Sequence, residues 1–119
     1  MYDIKIMGPL SYFRYQLKRH GFKNLLRLTD SGYPRILALG VCYHSKKEIV
    51  ICKALNWKLR LLHELGHECG LKHVRAKGRV MHPWGFLRGG LIDRAECDTY
   101  TASRIKKRFQ EVLKNEQCV

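Results

Sequence analysis

The apolar positions fall into segments of recognisable period. Tyr2, Ile4 and Ile6 alternate with polar residues across residues 2–7, the pattern of a short half-buried strand. Residues 12–19 form a helical segment, with Ser11 as a cap and His20-Gly21 as its stop. Residues 24–28 continue as a helical turn, and Thr29-Asp30-Ser31-Gly32 is a loop. Two strands follow. Residues 35–43 (RILALGVCY) are nearly all apolar, and residues 48–53 (EIVICK) are rich in β-branched side chains. His44-Ser45-Lys46-Lys47 between them predicts a hairpin. Asn56 opens a helix that runs to about Cys69, and Gly70 stops it. Residues 72–90 hold four glycines and one proline and read as loop. Residues 92–115 carry the longest helical pattern, with Ala95, Tyr100, Ile105, Phe109 and Val112 among its apolar positions. The predicted class is α+β: a small mixed sheet, one helix that carries the chemistry, a long loop and a closing helix.

Length and composition narrow this picture. The chain has 119 residues, enough for a single domain over 1–119. Hydrophobic residues make up 45%, which argues against general disorder. The longest apolar run, residues 36–43, is strand-sized and far short of a membrane span. Residues 1–8 carry Asp3 and Lys5 and lack the apolar core of a secretory signal. The five cysteines are odd in number and form no Cys-x-x-Cys pair. Both features point to free thiols and a cytoplasmic location. A monomer is the default.

The informative segment is His63-Glu64-Leu65-Gly66-His67-Glu68-Cys69-Gly70-Leu71-Lys72-His73. Four residues separate His63 from His67, so the two imidazoles share one helical face and can reach one metal ion. Glu64 is rotated by about 100° from His63 and can stand beside the metal without ligating it. Gly70 lets the chain turn back, so that His73 supplies a third nitrogen. Three imidazoles leave a fourth position for water, the open arrangement of a catalytic zinc. Glu64 then has the place of general base and acid. Cys69 lies about 120° around the helix from His63 and points to packing. Glu68 reads as solvent-facing, His20 as a helix-end residue, and His44 and His82 as surface or supporting groups.

The pattern His-Glu-x-x-His-x-x-Gly-x-x-His resembles that of the metzincin zinc metallopeptidases, and most closely the matrixins among them. Val80-Met81-His82-Pro83 resembles the methionine turn of that family, with Met81 eight residues after His73. The resemblance spans about residues 57–83. It implies a minimal metzincin with an active-site helix, a Met-turn loop and a C-terminal helix. It also implies a zinc-dependent endopeptidase: one zinc ion on His63, His67 and His73, Glu64 as catalytic residue, and structural support from Gly70, Met81 and Pro83. The strand before the active-site helix would pair with extended peptide or protein substrate, which makes Ile49 and Ile51 expected contacts. Trp84, Phe86 and Leu87, after the Met-turn, are expected pocket residues or core. Residues 74–80 contain no cysteine, so the second zinc site of archaemetzincins is not implied.

Charge adds a rival. Lys and Arg number 23 against 10 Asp and Glu, a formal net charge of +13. One cluster comprises Lys72, Arg75, Lys77 and Arg79, and another Arg104, Lys106, Lys107 and Arg108. These patches suit an acidic partner or nucleic acid, or simply a solvated basic surface. A bacterial family of RNA-processing endoribonucleases shares the spacing of His63, His67 and His73. The alternative is therefore a zinc-dependent endoribonuclease or nucleic-acid-binding protein using the same histidines. Glu64 and the Met81-Pro83 turn favour the peptidase. A non-catalytic zinc-stabilised protein is the third class.

Overall fold

The structure is a computed structural model that describes residues 2–29, 32, 34–54, 56–73, 81 and 99–117. It is a mixed α+β fold built on a three-stranded sheet. In chain order the elements are β1 (Asp3–Met7), α1 (Pro9–His20), α2 (Phe22–Leu25), β2 (Gly40–Tyr43), β3 (Glu48–Cys52), α3 (Trp57–Glu68) and α4 (Thr99–Gln117). Short 3₁₀ turns at Arg35–Leu37 and His44–Lys46 flank β2. The strand order is β1-β3-β2, with β1 parallel and β2 antiparallel to β3.

β3 is therefore central. Ile49 and Ile51 point to one face, where they pack with Leu61, Leu62 and Leu65 of α3 and Ile105 and Val112 of α4. Val50 and Cys52 point to the other face and meet Tyr12 of α1. A strand covered on both faces has no position for a solvent-facing side chain, which explains its unbroken apolar run. The molecule thus has three layers, with α1 on one side of the sheet and α3 and α4 on the other.

Several elements depart from the sequence reading. α1 starts at Pro9, with Gly8 as N-cap, so Ser11 lies inside the helix. Proline suits a first helical position because its absent N–H has no helical partner there. The single strand expected over residues 35–43 is a 3₁₀ turn followed by the shorter β2. The predicted hairpin is present, closed by Lys47 in the left-handed region at φ 50°. The helical turn expected at 24–28 occurs as α2, at Phe22–Leu25. The closing helix is described from Thr99, and residues 92–98 lie outside the described residues. Among the described residues, no helix is long and apolar enough to cross a membrane.

Candidate metal centre

α3 carries the site. Its inner stripe, Leu61, Leu62 and Leu65, is buried against the sheet and α4. That packing fixes the rotation of the helix and turns His63 and His67 toward the same cleft. Gly66 allows a close approach behind them, since a methyl group there would overlap the sulfur of the fully buried Met81. Gly70 adopts φ +90°, a left-handed conformation that ends the helix and returns the chain. Leu71 N–H then donates to the Gly66 carbonyl at 2.9 Å, and His73 follows two residues later.

The three imidazoles converge. Nε2 of His63 is 3.1 Å from Nε2 of His67 and 3.2 Å from Nε2 of His73, and the His67–His73 separation is 3.2 Å. Four ligands arranged tetrahedrally at about 2.0–2.1 Å from a zinc ion stand about 3.3–3.4 Å from one another. The cluster matches that spacing closely, so the three histidines can hold one metal ion. His67 Nδ1 donates to the Leu71 carbonyl at 2.8 Å, which leaves its Nε2 lone pair facing the cluster. Burial lowers the His67 pKa to about 4, the Leu71 bond opposing and the nearby His73, His44 and Arg60 charges assisting. The ring is thus neutral, as a ligand must be.

Glu64 stands beside this triangle. Its Oε1 lies 4.0 Å from His63 Nε2, too far for a bond but within reach of one bridging atom. The residue is 4% exposed, and Oε2 is buried without a hydrogen-bond partner among the described residues. Burial pushes the carboxyl up to about 7, while the Arg60 charge pulls the other way. An orphaned carboxylate oxygen next to three convergent nitrogens fits a site that takes both a cation and a polar ligand.

The cleft has a volume of about 340 Å³, and its wall includes Gln16, Arg35, Gly40, Cys42, His44 and Arg60. Arg60 is 4% exposed and escaped the sequence reading. It crosses from α3 beneath β2, and a side chain at Gly40 would overlap its methylenes. Their position 20 residues apart gives no local signal of this contact.

Other expected residues fall elsewhere. Ile49 and Ile51 are fully buried in the core, and β3 has a paired strand on both edges. Neither residue lines the cleft, so the structure does not bring them to the histidines as the sequence predicts. The strand that borders the cleft is β2, through Gly40, Val41, Cys42 and Tyr43. β2 pairs with β3 on one side only among the described residues. Glu68 is not solvent-facing: it accepts from the Tyr2 N–H at 2.9 Å and pairs with Arg108 at 3.5 Å. Arg108 also donates to the Tyr2 carbonyl at 2.8 Å, so it ties α4 to β1. Cys69 packs against the core, as its rotation around the helix predicts. Cys42, Cys52 and Cys69 are free thiols. Pro83, Trp84, Phe86 and Leu87 lie outside the described residues, as do Arg75, Lys77 and Arg79.

No family model, curated protein or solved structure matches this chain.

Proposed function

We propose that the chain is a zinc-dependent metalloendopeptidase of metzincin type, a minimal form with His63, His67 and His73 as ligands and Glu64 as the catalytic residue. The observation that carries this reading is the buried Glu64 carboxylate beside three Nε2 atoms spaced 3.1–3.2 Å apart, in an open cleft. A zinc ion there would polarise a carbonyl group and make water more acidic.

The chain's own residues supply the rest. Glu64 takes a proton from the attacking water as the new C–O bond forms at the peptide carbonyl carbon. It then delivers that proton to the amide nitrogen as the C–N bond breaks, which leaves a carboxylic acid and an amine. A carboxyl held in a dry wall next to Arg60 suits a group that must accept and return a proton near neutral pH. The bond from His67 to the Leu71 carbonyl fixes that ring's tautomer and orientation. The outer backbone edge of β2 supports a peptide substrate, since an extended segment can add there as a further strand.

The test is a diverse peptide library incubated with the zinc-loaded chain and with its Glu64→Ala variant, read by mass spectrometry. Cuts made by the parent and lost by orders of magnitude in the variant are expected. A folded, zinc-replete parent that leaves peptides intact and cleaves RNA would replace this reading with the nuclease one.

A further inference from the structure

α1 leaves its aliphatic side chains exposed and buries a polar one. The face against the sheet buries Gln16, which is 3% exposed, and Tyr12, which is 1% exposed. Hydrogen bonds satisfy both groups. Tyr12 O–H donates to the Ala38 carbonyl at 2.8 Å, Gln16 Nε2 donates to the Tyr12 oxygen at 3.2 Å, and Tyr43 O–H donates to Gln16 Oε1 at 3.0 Å. The face beside it carries Leu10, Phe13 and Leu17 at 67%, 37% and 44% exposure. Their i, i+3, i+7 spacing makes one continuous stripe. Phe22, Leu26 and Leu28, in and after α2, are also exposed, at 62%, 52% and 70%.

Cations border this surface. Arg14 and Lys18 are exposed on α1 beside the stripe, and Lys23 and Arg27 are exposed in and after α2. No acidic residue occurs between Asp3 and Asp30. We propose that the exposed apolar face of α1 docks on an anionic lipid surface. A helix lying flat at such a surface sinks its apolar stripe to the acyl boundary and sets flanking Lys and Arg among the headgroups. A second copy of this chain would bring like charges together, at +13 on each partner. Nucleic acid would use the cations and leave Leu10, Phe13 and Leu17 in water. The inference is independent of the peptidase reading.

Co-sedimentation of the full chain with vesicles tests it. Phosphatidylcholine vesicles containing roughly one-third phosphatidylserine should bind the chain about tenfold or more tightly than phosphatidylcholine alone. The Leu10→Asn, Leu17→Asn variant keeps every charge and should bind about tenfold more weakly. Phe13→Ser is the second variant, with the same direction, should the double change disturb folding by circular dichroism. Lys106→Gln with Lys107→Gln removes two exposed charges from α4 and should leave binding within about twofold. Failure to bind the anionic vesicles overturns the proposal. So does binding by Leu10→Asn, Leu17→Asn equal to that of the parent. A parent that is dimeric in sedimentation velocity, made monomeric by the same variant and indifferent to lipid, would assign the face to a second copy instead.

Discussion

His67 donates from Nδ1 to the carbonyl of Leu71 at 2.8 Å, a bond that closes over the glycine between them. It joins the last turn of α3 to the returning chain and points Nε2 of His67 at Nε2 of His73. The geometry depends on Gly70, whose φ of +90° is strained for any residue with a Cβ. Gly70→Ala should cost about 1–3 kcal/mol of stability and weaken zinc binding together. Thermal unfolding with and without zinc checks both effects. His67→Ala should instead leave the fold largely intact and lose stoichiometric zinc after gel filtration, measured by metal analysis.

Met81 and Gly66 form the second close contact of the site. A methyl group on Gly66 would overlap the Met81 sulfur, so Gly66→Ala should destabilise the chain by about 1–3 kcal/mol through overpacking. Met81→Ala leaves a cavity at a fully buried position and should cost about 2–5 kcal/mol. Joining the two changes should cost less than the sum, because the added methyl partly fills the vacated space. Urea denaturation of the two single variants and the double variant measures the coupling.

Glu64 makes the metal-free protein sensitive to pH. Its folded carboxyl is raised from 4.5 to about 7. Between those values the folded chain keeps a proton that the unfolded chain has lost. Stability is therefore full below the lower value and is lost as pH rises through the higher one. Glu64→Gln removes the penalty, so metal-free Glu64→Gln should exceed the parent by roughly 3 kcal/mol above pH 7.5. The advantage should vanish below pH 4.5. Denaturant melts at both pH values, in the presence of a chelator, provide the comparison.

Glu48 behaves in the opposite sense. Burial alone would raise its pKa, but hydrogen bonds from Tyr15 and Arg19 and the Lys5 charge hold the carboxyl below its ordinary 4.5. A carboxyl lowered in the folded state contributes stability above its unfolded value and loses it as pH falls through the folded one. Glu48→Gln should therefore cost stability at pH 7, on the order of 1–3 kcal/mol, and progressively less as pH falls below 4.5. Thermal melts of parent and variant across that window test the sign.

The histidine cluster is legible because its parts are local. His63, His67, Gly70 and His73 sit within one helix end, so helical geometry and one turn relate them directly. Long-range relationships were not legible. The resemblance makes residues 48–53 the substrate-pairing strand, yet the unbroken apolar character of β3 is the mark of a strand covered on both faces, and both its edges are paired. The cleft edge belongs to β2, whose residues merge in sequence with the preceding 3₁₀ turn because both are apolar. Glu68 reads as solvent-facing on a helix of 12 residues, but its partners Tyr2 and Arg108 lie at the two ends of the chain. Gln16 is similar: Tyr43, 27 residues away, makes its burial tolerable. In each case spacing along the chain records the helix or strand but not what packs against it.

Zinc K-edge X-ray absorption on the zinc-loaded chain tests the central claim most directly. The three-histidine site should give one zinc per chain, with three imidazole nitrogens and one oxygen ligand at about 2.0–2.1 Å. His63→Ala or His73→Ala should remove that signature. Sulfur scattering at about 2.3 Å, which would put the metal on the chain's cysteines, would contradict the account, as would zinc retained unchanged in the His variants.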